Sequence, residues 1–125
     1  MGSDVTHARR VLVLTDDLMF ATRVRETGRR VGVEVDQRPA QPGVIAQLSS
    51  NTPDLIVVGL GSGGRPLEVV CDLKADPRTK AIPVLAVYPH VDVELRRAAL
   101  EAGCDRALPR SAFTTLLPGI LAGTA

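Results

Sequence analysis

At 125 residues, with 45% hydrophobic and 23% charged residues, the chain is sized and composed as one soluble globular domain able to bury its own core. A formal net charge of +1 excludes the strong field expected of a nucleic-acid or anionic-membrane binder. Aromatics at 2% argue against base stacking and leave the core to Val, Leu, Ile and Ala, and no apolar run is long enough to span a bilayer.

The predicted elements alternate strand and helix. Residues 11–14 (Val11, Leu12, Val13, Leu14) form an apolar run and read as the first strand. Asp16 or Asp17 can cap a helix running to about Arg29, with Phe20, Val24 and Gly28 on one face. Residues 31–35 alternate Val31, Val33 and Val35 around Gly32 and Glu34, the pattern of a half-covered edge strand. Pro42 suits the first turn of a second helix ending near Ser49. Residues 55–58 and 84–87 are continuous apolar runs, as strands covered on both faces require. Pro66 opens a third helix that reaches about Lys74. Asp92 can cap a fourth, with Leu95, Ala98, Ala99 and Ala102 as its buried stripe and Gly103 as its stop. Residues 106–108 are a weaker fifth strand. Ser111 can cap a fifth helix, which the Pro118-Gly119 pair predicts to be short or broken.

Strand and helix alternate along residues 1–125 with no linker, repeat or low-complexity tract, so the expectation is a single α/β domain. Its sheet should be parallel, with helices on both faces and right-handed crossovers. Ligands of such open sheets bind beyond the carboxyl ends of the strands. That rule selects Asp16 and Asp17, the loop after Val35, the 59–64 loop, the segment from Tyr88 to His90, and Pro109-Arg110.

Parallel strands ending side by side would bring the Asp16 and Asp17 carboxylates close to position 59. A carboxylate there would complete an acidic pocket for a divalent cation and a phosphoryl group, but the residue is Gly59. Asp16 and Asp17 could hold Mg²⁺; as a simple helix cap they need no metal, and hard-cation sites depend on ligand number and charge. The run Gly59-Leu60-Gly61-Ser62-Gly63-Gly64 matches G-x-G-x-x-G after a strand, so a nucleotide phosphate could sit on its amides. Arg65-Pro66 intervenes before the next helix, and the acid expected about 20 residues on is missing, which favours a plain loop.

Cys71 and Cys104 lack any CxxC spacing and are expected as buried, reduced thiols. His7 and His90 have no ligand-like spacing. The N-terminal stretch has no apolar signal-peptide core, so a cytoplasmic location is expected.

The element order and the residues at the strand ends resemble the receiver domain of two-component response regulators, over nearly the whole chain. The stretch from Pro66 to Val84, which holds Asp72-Leu73-Lys74-Ala75-Asp76-Pro77 and Ile82-Pro83-Val84, is similar to the third helix and fourth strand of receivers. Leu100-Glu101-Ala102-Gly103-Cys104-Asp105 is similar to the turn into the fifth strand. The resemblance implies a CheY-like, flavodoxin-like doubly wound sheet of five strands in the order 2-1-3-4-5. It matches Asp16 and Asp17 to the receiver acidic pair and puts Gly59 where the phosphate-accepting Asp stands. Tyr88 takes the place of a Thr or Ser, Ala107 that of an aromatic switch residue, and Arg110 that of a Lys.

The chain therefore reads as a degenerate pseudo-receiver without its phosphoacceptor: a non-enzymatic signalling or protein-interaction module with no cofactor. Tyr88 would fill the space left by Ala107, and Arg110 would pair with Asp16 or Asp17. The implied partner is a signalling protein, or a second copy forming a homodimer through the fourth helix, fifth strand and fifth helix. That face carries Arg96, Arg97, Glu101 and Arg106, and a shortened last helix would expose Leu116, Leu117 and Ile120. Two alternatives stand beside it. One is a small-ligand or nucleotide binder using Gly59, Gly61, Ser62, Gly63 and Gly64. The other is a receiver with Ser62 as acceptor, whose alcohol lacks the chemistry of an aspartyl phosphate.

Overall fold

The computed structural model describes residues 9–48, 52–61, 63–90 and 92–125. Its sheet is built on the continuous apolar runs, which form β1 (Arg10–Leu14), β3 (Leu55–Gly59) and β4 (Val84–Tyr88). β3 and β4 are buried along their whole length because helices cover both faces. β2 (Glu34–Arg38) and β5 (Arg106–Pro109) are the edges. All pairings are parallel, in the order β2-β1-β3-β4-β5, the fold expected of the sequence.

One face carries Val11, Val13, Val57 and Val87 beneath α1 (Leu18–Val31) and α4 (Arg110–Ala122), which contribute Phe20, Val24, Phe113 and Leu117. The Phe20 and Phe113 rings lie 5.5 Å apart, tilted by 34°. The other face carries Leu12, Leu14, Ile56 and Val58 beneath α2 (Pro66–Ala75) and α3 (Val93–Ala102). α1 sits low on β2 because Gly28 has no side chain: a Cβ there would lie 2.6 Å from Val35 Cγ2 and 2.9 Å from the Val33 carbonyl oxygen.

Several boundaries differ from those expected. The second strand begins at Glu34, not at Val31, because Val31 belongs to the last turn of α1. Gly32, at φ 73°, ends that helix and donates its N–H to the Gly28 carbonyl. The helix expected after Pro42 is only a 3₁₀ turn, Val44–Leu48. Gly43 stands at φ 96° just before it, a conformation no α-helical residue adopts.

The last helix is neither short nor broken. It runs through Pro118 to Ala122 and stops at Gly123, in the left-handed region. Pro118 is exposed on its outer side, so the Thr114 carbonyl that loses an amide partner can face water. Leu117 and Ile120 are consequently buried, at 3% and 4% exposure, and only Leu116 stays exposed. In α3, Ala99 alone is buried, and Leu95, Ala98 and Ala102 are half-buried. Cys104 is buried as expected, whereas Cys71 is exposed, on the α2 side opposite Val69, Val70 and Leu73. Among the described residues, no helix is long and apolar enough to cross a membrane.

Candidate functional site

The carboxyl ends of β1, β3, β4 and β5 bring the expected residues to one end of the sheet, with neither aspartate the direct neighbour of Gly59. The register pairs Leu14 with Val58, so the residue beside Gly59 is Thr15. A Cβ on Gly59 would lie 3.0 Å from Thr15 Oγ1 and 3.2 Å from Thr15 Cβ, and its third neighbour is the Leu14 carbonyl oxygen at 3.8 Å. No carboxylate atom is closer than that. Thr15 is buried, and its hydroxyl oxygen accepts the Asp17 N–H at 3.0 Å.

The two aspartates face different ways. Asp17 caps α1: its Oδ1 accepts the Phe20 N–H at 3.0 Å, as Ncap geometry requires. Its Oδ2 stands 3.5 Å from Arg110 Nη2, the pairing foreseen for Arg110. The Arg110 guanidinium lies 4.9 Å over the Phe20 ring, a cation–π arrangement, and its Nε is buried without a partner. Asp16 is exposed and reaches the glycine loop: its Oδ2 lies 3.3 and 3.2 Å from where the side chains of Gly63 and Gly64 would begin. Among the described residues, no group of three His, Cys, Asp or Glu side chains could hold a metal ion.

The glycines of the 59–64 loop serve close packing against the chain itself. Gly61, Gly63 and Gly64 all have positive φ. A Cβ on Gly64 would lie 2.6 Å from the Ala40 carbonyl oxygen, and one on Gly61 3.0 Å from Pro89. The Arg65 N–H, which could have faced an anion, donates to the Ala40 carbonyl at 2.7 Å. A carboxylate therefore stands against the loop where a bound phosphate would need positive potential. Ser62 lies outside the described residues.

Tyr88 is buried at 4% exposure. The pairing of Ala86 with Ala107 places Tyr88, two residues on, over the same face as Ala107, in a cluster with Leu60, Ala99 and Cys104. Both residues belong to the same buried cluster. Of the proposed surface residues, Arg96, Arg97 and Arg106 are exposed on α3 and β5, whereas Leu117 is in the core. Sequence reasoning missed Thr15 and the aromatic seat of Arg110. The first was implicit in the register of residues 11–14 against 55–58; no sequence signal marked the second.

This architecture is that of the CheY-like receiver fold. No protein-family model matches the chain, and no curated protein matches it either. Solved structures do. The chemotaxis response regulator CheY4 of Vibrio cholerae superposes with a TM-score of 0.79 at 18% identity, over 95% of this chain and 100% of that one. A response regulator from Thermotoga maritima gives 0.77 at 15% identity, over 94% and 98%. The phosphorylated cyanobacterial phytochrome response regulator RcpA gives 0.76 at 19% identity, over 95% and 97%. These three solved structures are response regulators, and what the chain shares with them is the fold.

Proposed function

We propose that this chain is a non-phosphorylatable pseudo-receiver, a cytoplasmic module that acts by protein contact in a two-component-type pathway and not by catalysis. The observation that carries the reading is Gly59: the end of β3 offers neither a phosphate acceptor nor a metal ligand. Three further observations support it. Thr15, not a carboxylate, adjoins position 59. Asp17 is already engaged as a helix cap and by Arg110. Tyr88 is packed inward, where a small hydroxyl residue would be free to move.

The face of α3, β5 and α4 is the first candidate for a partner or a second copy, with Arg96, Arg97, Arg106 and Leu116 at its surface. Leu116→Glu tests that face, because Leu117→Glu would damage the core. For the main reading, the protein is incubated with acetyl phosphate and Mg²⁺ and its intact mass is measured. Unchanged mass is expected. A stable gain of one phosphoryl group would overturn the proposal.

A further inference from the structure

The helices on the two faces of the sheet carry different charge patterns. α1 and α4 together hold five arginines, Arg23, Arg25, Arg29, Arg30 and Arg110, against the single carboxylate of Glu26, on a chain whose net charge is only +1. Between these two helices runs a groove of about 330 Å³, lined by Arg23, Glu26 and Arg30 of α1 and by Thr114 and Pro118 of α4. Arg23, Glu26 and Arg30 fall at i, i+3 and i+7, so they share one stripe of α1, and all three are exposed. None of the three makes an ion pair among the described residues. Met19, one turn before Arg23, extends the stripe with an apolar side chain that is 84% exposed.

α3, on the opposite face of the sheet, carries the reverse pattern. Glu94, Arg97 and Glu101 fall at the same i, i+3 and i+7 spacing and are all exposed. The α1 stripe reads plus, minus, plus; the α3 stripe reads minus, plus, minus. No other helix among the described residues offers that complement: the acid-led triplet of α2 is Glu68, Cys71 and Ala75, and α4 has no acid. Glu94 holds Arg97 at only 3.8 Å, an exposed pair free to exchange partners. Val93 and Leu100 leave apolar surface beside the stripe. A lone surface ion pair contributes little, but three in register, with like charges opposed in shifted registers, select one partner. A single copy cannot bring the two stripes together, because α1 and α3 pack on opposite faces of the sheet.

We propose that α3 of one copy docks in the α1–α4 groove of a second copy, with Glu94 and Glu101 on Arg23 and Arg30, and Arg97 on Glu26. The contact joins different faces of identical chains, so it propagates head to tail and does not close as a twofold contact does. It rests on the reading of α3 as part of a contact face and names what that face meets. Sedimentation velocity of the full chain from about 10 µM to about 1 mM covers the affinity range of a weak contact. The mean mass should rise with concentration in about 20 mM NaCl and return to that of a monomer in about 500 mM NaCl. Arg23→Glu with Arg30→Glu, and separately Glu94→Lys with Glu101→Lys, should each weaken self-association about tenfold or more. Mixing the two variants should restore it, because the acidic α1 stripe of one then meets the basic α3 stripe of the other. All four residues are exposed, so circular dichroism should be unchanged; if either pair unfolds, Gln at the same positions serves for the weakening. Leu116 does not line the groove, so Leu116→Glu should leave association intact. A monomer throughout, association unchanged by both charge reversals, no recovery on mixing, or loss with Leu116→Glu would overturn the proposal. The acetyl phosphate test of the pseudo-receiver reading stands apart from all of these outcomes.

Discussion

Truncating Tyr88 should open a hole that its neighbours cannot close. The side chain is 4% exposed, and the residues clustered with it include Ala86, Ala99 and Ala107, which have nothing to extend into the space. A buried aromatic removes roughly 150–250 Å² from water, so at about 25 cal/mol/Å² full exposure would cost about 4–6 kcal/mol. Alanine keeps part of that burial, and the cavity adds its own cost; the expected loss for Tyr88→Ala is about 3 kcal/mol. For a domain of this size that lowers the melting temperature by about 10 °C. Urea melts of wild type and variant give the number directly. Ala107→Leu offers a second readout, since it should recover about 1 kcal/mol in the Tyr88→Ala background while overpacking the wild type. A loss below about 0.5 kcal/mol, or the same effect of Ala107→Leu in both backgrounds, would refute the packing of Tyr88 over Ala107.

The two aspartates should separate in the same assay. Asp17→Ala loses the α1 cap and the Arg110 partner and should cost about 1–2 kcal/mol, whereas Asp16→Ala should stay within about 0.5 kcal/mol. Asp105 accepts from Lys74 Nζ and from the Val84 N–H, both at 2.8 Å. Burial pushes its carboxyl up, but these bonds and the Lys74 charge together hold it below the ordinary value. A depressed folded pKa stabilises above the unfolded value of about 3.9 and is lost as pH falls through the folded value. The gap between wild type and Asp105→Asn, about 1 kcal/mol for this half-exposed group, should thus be full at neutral pH and close in acid. Burial, chiefly, raises the Cys104 thiol to about 12. Iodoacetamide should therefore label Cys71 alone in the native protein and both thiols in denaturant, as peptide mapping can establish.

The sheet was legible because its central strands are continuous apolar runs that only a doubly covered parallel sheet explains. The misread boundaries have local causes. Val31, Val33 and Val35 alternate like a strand, but Val31 closes α1 and Gly32 turns the chain before β2 begins. Pro118 carries a helix-breaking signal, yet on an exposed face the lost hydrogen bond can be made to water and the apolar side of α4 holds the helix together. At the site, the absence at Gly59 and the Arg110–Asp17 contact could be read from residue identity and strand order. The splitting of Asp16 from Asp17 could not, because it depends on the fold of the glycine loop and on which aspartate caps α1.

The central claim is that this end of the sheet cannot bind a phosphoryl group, and beryllofluoride with Mg²⁺ tests it most directly. Amide spectra of the wild-type protein are recorded during the titration. The expected result is no saturable change at Thr15, Asp16, Asp17, Gly59 or Tyr88. A Mg²⁺-dependent, saturable set of shifts centred on those residues would contradict the account.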